Sequence, residues 1–115
     1  MPRPRKCKNV CKLPDIKYFE GKDKNENVKP IIMDVEEYEV IRLMDKENLT
    51  QEECAIQMNV SRPTVQLLYS SARRKVAEFL TTGTSLKIEG GTYEVCSDQF
   101  SGCNCTHCRC NNRDK

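Results

Sequence analysis

The chain has 115 residues, 37% hydrophobic and 31% charged, with 19 Lys and Arg against 17 Asp and Glu. That length allows one small core with appendages and excludes two large domains. No apolar run reaches the roughly 20 residues of a membrane helix. No apolar segment follows the charged N-terminus as in a secretory signal, so a cytoplasmic protein without a membrane partner is expected.

Residues 1–30 read as an extended basic arm, with nine Lys and Arg against four Asp and Glu. Pro2, Pro4, Pro14 and Pro30 disfavour a helix there. Arg3, Arg5 and Lys6 suit the negative potential of a narrow DNA minor groove. A disordered solubilising tail is the alternative.

Residues 31–83 read as three helices. Two basic and eight acidic residues over 31–60 suggest an acidic surface that aids solubility or faces another protein. Asp34 and Glu37 fit a capping arrangement, and Val35, Tyr38, Ile41 and Met44 share one face, which predicts helix one over about 35–47. Thr50 and Glu53 form a capping box, with Leu49 and Cys54 as a hydrophobic staple, so helix two covers about 51–58. Asn59-Val60 makes a turn, Ser61 caps, and Pro63 sits in the first turn of helix three, from Arg62 to about Thr81. Val65, Leu68, Tyr69, Ala72, Val76 and Phe79 form its inward face.

A short capped helix, a tight turn and a longer capped helix have the order of a helix-turn-helix. On that reading helix three presents Pro63, Gln66, Leu67, Ser70 and Arg74 outward, with Thr64, Ser71 and Arg73 at the margins. Arg62, Thr64, Gln66 and Arg74 would read bases, glutamine bonding adenine and arginine guanine. Gln51, Ser61, Arg73 and the arm would hold the backbone. About six phosphate contacts would give a slope near −5 for log affinity against log salt. A plain helical unit with solvated charges, or one that contacts a protein, is the alternative.

Residues 84–96 read as a β-hairpin turning at Gly90-Gly91, with Ile88 opposite Tyr93 and Leu86 opposite Val95. Residues 97–115 are a Cys-rich tail. Cys103, Cys105, Cys108 and Cys110, with His107 among them, could hold zinc or an iron–sulfur cluster, recruiting Cys7, Cys11 or Cys96. Disordered reduced thiols or redox-sensing disulfides are the alternatives. Cys54 reads as a buried small hydrophobe. No catalytic motif appears, so no enzymatic role is expected.

Ordered matches then resemble one family. They are Met1 to Lys6, Leu13-Pro14, Phe19, Glu39 to Leu43, Gln51 to Ala55, Met58, Val60 to Arg62 with Thr64, Ala72-Arg73, Lys75 to Ala77, and Ile88, Gly90, Gly91 and Tyr93. The chain resembles, over about residues 1–95, a small prokaryotic uncharacterised family predicted to bind DNA through a helix-turn-helix like that of sigma factor region four. The resemblance implies a regulatory DNA-binding role. Val65 stands where that family often has phenylalanine, Leu67 where it often has arginine, and Val40 where alanine is usual.

The expected fold is therefore mainly α: a three-helix helix-turn-helix domain, a short β-hairpin, a basic arm and a Cys-rich tail. The expected protein binds double-stranded DNA specifically, regulates transcription, responds to metal or redox state through its tail, and can form a homodimer. The runner-up is a metal-binding or metal-delivery adaptor whose helices contact a protein.

Overall fold

The computed structural model describes residues 8–22 and 29–95. Among these residues, five short strands and three α-helices follow in chain order. They are β1 (Lys8–Val10), β2 (Tyr18–Phe19), β3 (Ile31–Met33), α1 (Val35–Ile41), α2 (Gln51–Met58), α3 (Arg62–Thr82), β4 (Leu86–Ile88) and β5 (Tyr93–Val95). A π-helical segment, Arg42–Lys46, continues α1.

Helix one is thus shorter than the residue spacing predicts. The ladder widens after Ile41, and Glu47 N–H donates to Arg42 O at 3.0 Å, five residues back. Hydrophobes three apart mark a helical face but do not separate an α turn from a π turn. The chain then leaves the helix through Asn48 at φ 62°.

α2 and α3 match their expected spans to within one residue. Thr50 N–H donates to Glu53 Oε1 at 2.9 Å and Glu53 N–H to Thr50 Oγ1 at 3.1 Å, so the capping box is closed on both sides. Asn59 ends α2 in the left-handed region, φ 59° and ψ 49°. Gly83 ends α3 at φ 73°.

The expected hairpin is corrected. Two strands do flank Gly90-Gly91, and both glycines have positive φ, but the strands do not pair with each other. β4 is central in a three-stranded sheet, antiparallel to β2 and parallel to β3. β5 pairs in parallel with β1, Lys8 opposite Tyr93 and Val10 opposite Val95. The reason is edge capacity: a strand has two edges, and β2 and β3 already occupy both edges of β4. Alternating hydrophobicity shows that a segment is a strand and leaves its partner open.

Residues 8–19, expected within a separate arm, therefore belong to the domain. Val10 and Cys11 are buried, as is Pro14. The core has two parts. One joins Val40, Leu43, Leu49, Cys54, Ala55, Met58 and Val65 between the helices. The other joins Val10, Met33, Val35, Ala72, Leu86 and Ile88 beneath the strands. α3 spans both, with Val65 in the first and Ala72 in the second. Among the described residues no helix is long and apolar enough to cross a membrane.

Candidate nucleic-acid interface

The interface expected from the sequence is the outer face of α3. Ser61 holds the N-terminus of this helix: its Oγ accepts from Thr64 N–H at 3.4 Å and lies 2.9 Å from Thr64 Oγ1. Ser61 is exposed and Thr64 half-buried. Pro63 falls in the first turn, where no intrahelical donor is needed. Val65 is fully buried, which fixes the rotation of the helix. Gln66 and Leu67 then face solvent, as do Arg62, Ser70, Arg73 and Arg74. Gln51, in the first turn of α2, is half-buried.

The cations differ in what already engages them. Arg62 lies 3.8 Å from Glu52, and both side chains are exposed, so the pair is weak. Arg73 lies over the Tyr69 ring at 5.2 Å and 3.8 Å from Asp45. Tyr69 donates its hydroxyl proton to Asp45 Oδ1 at 2.7 Å, and that bond, with some burial and the Asp45 charge, raises the phenol pKa. Asp45 therefore gathers two α3 side chains from the π-helical segment, a role the sequence pattern did not signal. Arg74 makes no ion pair with any described residue. Lys75, half-buried, reaches Glu37 Oε1 at 2.7 Å.

That contact belongs to a set of buried acids. The acidic segment was expected at the surface, yet Glu36, Glu37 and Glu39 are each at most 5% exposed. Every one has partners, as burial of charge demands. Glu39 receives Arg42 Nε at 3.0 Å and Nη2 at 2.9 Å, and Cys11 N–H at 3.1 Å. Burial would lower the Arg42 pKa, but the bonds and charge of Glu39 raise it above the ordinary value. Glu37 accepts from Lys75, from the Ser71 hydroxyl and from Asp34 N–H. Burial alone would raise the Glu37 pKa; these donors outweigh it and hold the carboxyl below its usual range. Glu36 accepts from Thr92 N–H at 3.1 Å and pairs with Lys8 at 3.3 Å. A Cβ at Gly91 would collide with the Glu36 carboxylate, so glycine there serves this contact as well as the turn. The three acids tie β1, α3 and the start of β5 to α1. They set the platform that holds α3.

Of the expected metal ligands, Cys11 alone lies among the described residues. Cys11 is buried at 1% exposure, and Gln57 Nε2 donates to its sulfur at 3.4 Å. Its thiol is held in the core. Cys54 is fully buried, and burial pushes its thiol up to about 12, with the Glu39 charge adding to the effect. No described group of three or more His, Cys, Asp or Glu side chains could hold a metal ion. Arg3, Arg5, Lys6, Cys7, Cys96, Cys103, Cys105, His107, Cys108 and Cys110 lie outside the described residues.

The family model described as Protein of unknown function DUF134 matches residues 1–96. The chain belongs to this family. The DUF134 match ends where the Cys-rich tail begins. A protein of Desulfitobacterium hafniense strain Y51 is 50% identical over 104 residues, covering 90% of this chain and 83% of that protein. A Caldicellulosiruptor bescii protein is 45% identical, covering 91% and 74% respectively. A Moorella thermoacetica protein is 42% identical, covering 93% and 72%. Each carries only the name UPF0251 protein. No solved structure matches the chain.

Proposed function

We propose that this protein binds double-stranded DNA in a sequence-preferring way through α3 and acts as a transcriptional regulator. The carrying observation is the outward face of α3. It follows a short capped helix and an αL turn at Asn59, and it exposes Arg62, Gln66 and Arg74. In a helix-turn-helix the second helix enters the major groove with its N-terminal residues at the base edges. Gln66 and Arg62 fall in that stretch and carry the donors that adenine and guanine accept. Thr64 and Arg74 would read bases beside them, while Arg73, Gln51 and Ser61 would hold phosphates, with Arg3, Arg5 and Lys6 of the N-terminal segment in the minor groove.

The reading extends to the tail on spacing alone. Cys103-x-Cys105-x-x-Cys108-x-Cys110 places four thiols within eight residues, a set suited to zinc or an iron–sulfur cluster. Metal binding there would couple metal or redox state to DNA affinity.

Selection of bound genomic fragments by the purified chain, at two salt concentrations and with or without chelator, tests both parts. The expected result is an enriched motif whose binding weakens with salt and changes with chelator. No enriched sequence under any condition contradicts the regulator reading, and elemental analysis of the anaerobic sample decides the metal.

A further inference from the structure

One aliphatic side chain sits at the centre of the outward face of α3. Leu67 is 74% exposed. At about 100° per residue it points away from the buried line of Val65 and Ala72, and it shares the outward stripe with Pro63, Ser70 and Arg74. Arg74 lies two turns on, roughly 10 Å along the axis. Gln66 adjoins Leu67, and Arg62 lies one turn or more before it.

Single exposed leucines are common, and exposure alone assigns no role. Position and surroundings do more. Leu67 lies in the first two turns of the helix, where side chains meet base edges in a helix-turn-helix. Arg74 shares the stripe of Leu67, and Arg62 and Arg73 are exposed farther round the same helix, which favours a polyanion over an apolar protein surface. The major groove offers one apolar group at its base edges, the C5-methyl of thymine.

We propose that Leu67 reads thymine by packing on that methyl group, beside the hydrogen-bonding contacts of Gln66 and Arg62. The proposal rests on the DNA-reading role of α3 and names part of its target: a site with thymine at a fixed step from the base read by Gln66.

Replacing thymine by uracil deletes the methyl and leaves every hydrogen-bonding group in place. A duplex carrying the selected site is made with uracil at each thymine in turn, and binding is measured for the full-length protein and for Leu67→Ala. At one or two positions uracil weakens binding by the wild-type chain about fourfold, the worth of one buried methyl. In Leu67→Ala those substitutions change nothing. Leu67 is mostly solvated, so this variant keeps the wild-type unfolding midpoint.

Three outcomes overturn the proposal. Uracil can be neutral everywhere while Gln66→Ala still loses the site; α3 then reads DNA without a methyl contact. A uracil effect can persist unchanged in Leu67→Ala, which assigns the methyl to another residue. Uracil can be neutral while Leu67→Ala turns a dimer into a monomer in sedimentation, which makes Leu67 a protein contact. If no site is selected at all, the DNA reading itself fails, a result distinct from these three.

Discussion

At the scale of residues, the buried acids govern stability. Glu39 and Arg42 form a two-pronged pair with almost no solvent contact, their side chains 0% and 5% exposed. Removing one partner strands the other's charge, which costs about 3–5 kcal/mol. Glu39→Ala should lose that much in denaturant unfolding, far more than removal of an exposed acid such as Glu52, at about 0.5 kcal/mol or less. Glu37 adds a pH dependence. Its folded carboxyl titrates below the ordinary value of 4.5, so its stabilisation is present above that pH and is lost as pH falls through the folded value. Asp34 acts oppositely, since burial and the charges of Glu37 and Glu36 raise its pKa; its contribution is present below its ordinary value and fades as pH rises. An unfolding series from pH 6 to pH 3 should therefore show an acid limb that flattens in Glu37→Gln. Cys54, with its thiol pushed up to about 12, should resist alkylation at pH 8 in the native chain and react once denatured.

Elements show how much of the fold the sequence carries. α2 and α3 were legible because their signals are local: the Thr50–Glu53 box, Asn59, Ser61, Pro63 and Gly83 act within a few residues of where they stand. Strand pairing was not legible, because Lys8 and Tyr93 meet across 85 residues of sequence and nothing local specifies that encounter. The buried acids escaped for the same reason. Glu37 looked like an ordinary first-turn carboxylate until Ser71 and Lys75 of α3 came to it. The candidate interface was legible in part. The phase of α3 follows from Val65 and Ala72, but the capture of Arg73 by Asp45 and of Lys75 by Glu37 depends on packing between elements. Two stability tests follow at this scale. Thr50→Ala opens the capping box and should cost about 1 kcal/mol. Val10→Ala hollows the second core and should cost about 1–3 kcal/mol in the same unfolding assay. A free N-terminal arm would show no loss at Val10.

For the whole molecule, the near-neutral balance of 19 basic and 17 acidic residues conceals a division of labour. Glu36, Glu37 and Glu39 are spent inside, holding α1 against β1, β5 and α3, while Arg62, Arg73 and Arg74 remain at the surface of one helix. A chain that buries three of its acids and exposes three arginines along α3 can meet a polyanion despite its small net charge. The direct test is binding of the selected duplex and of a scrambled duplex by the wild-type chain, Arg62→Ala and Gln66→Ala, across a salt series. The predicted result is that each substitution costs about 1–3 kcal/mol on the selected duplex and little on the scrambled one, so discrimination narrows. Discrimination that survives both substitutions unchanged would contradict the assignment of α3 as the reading element.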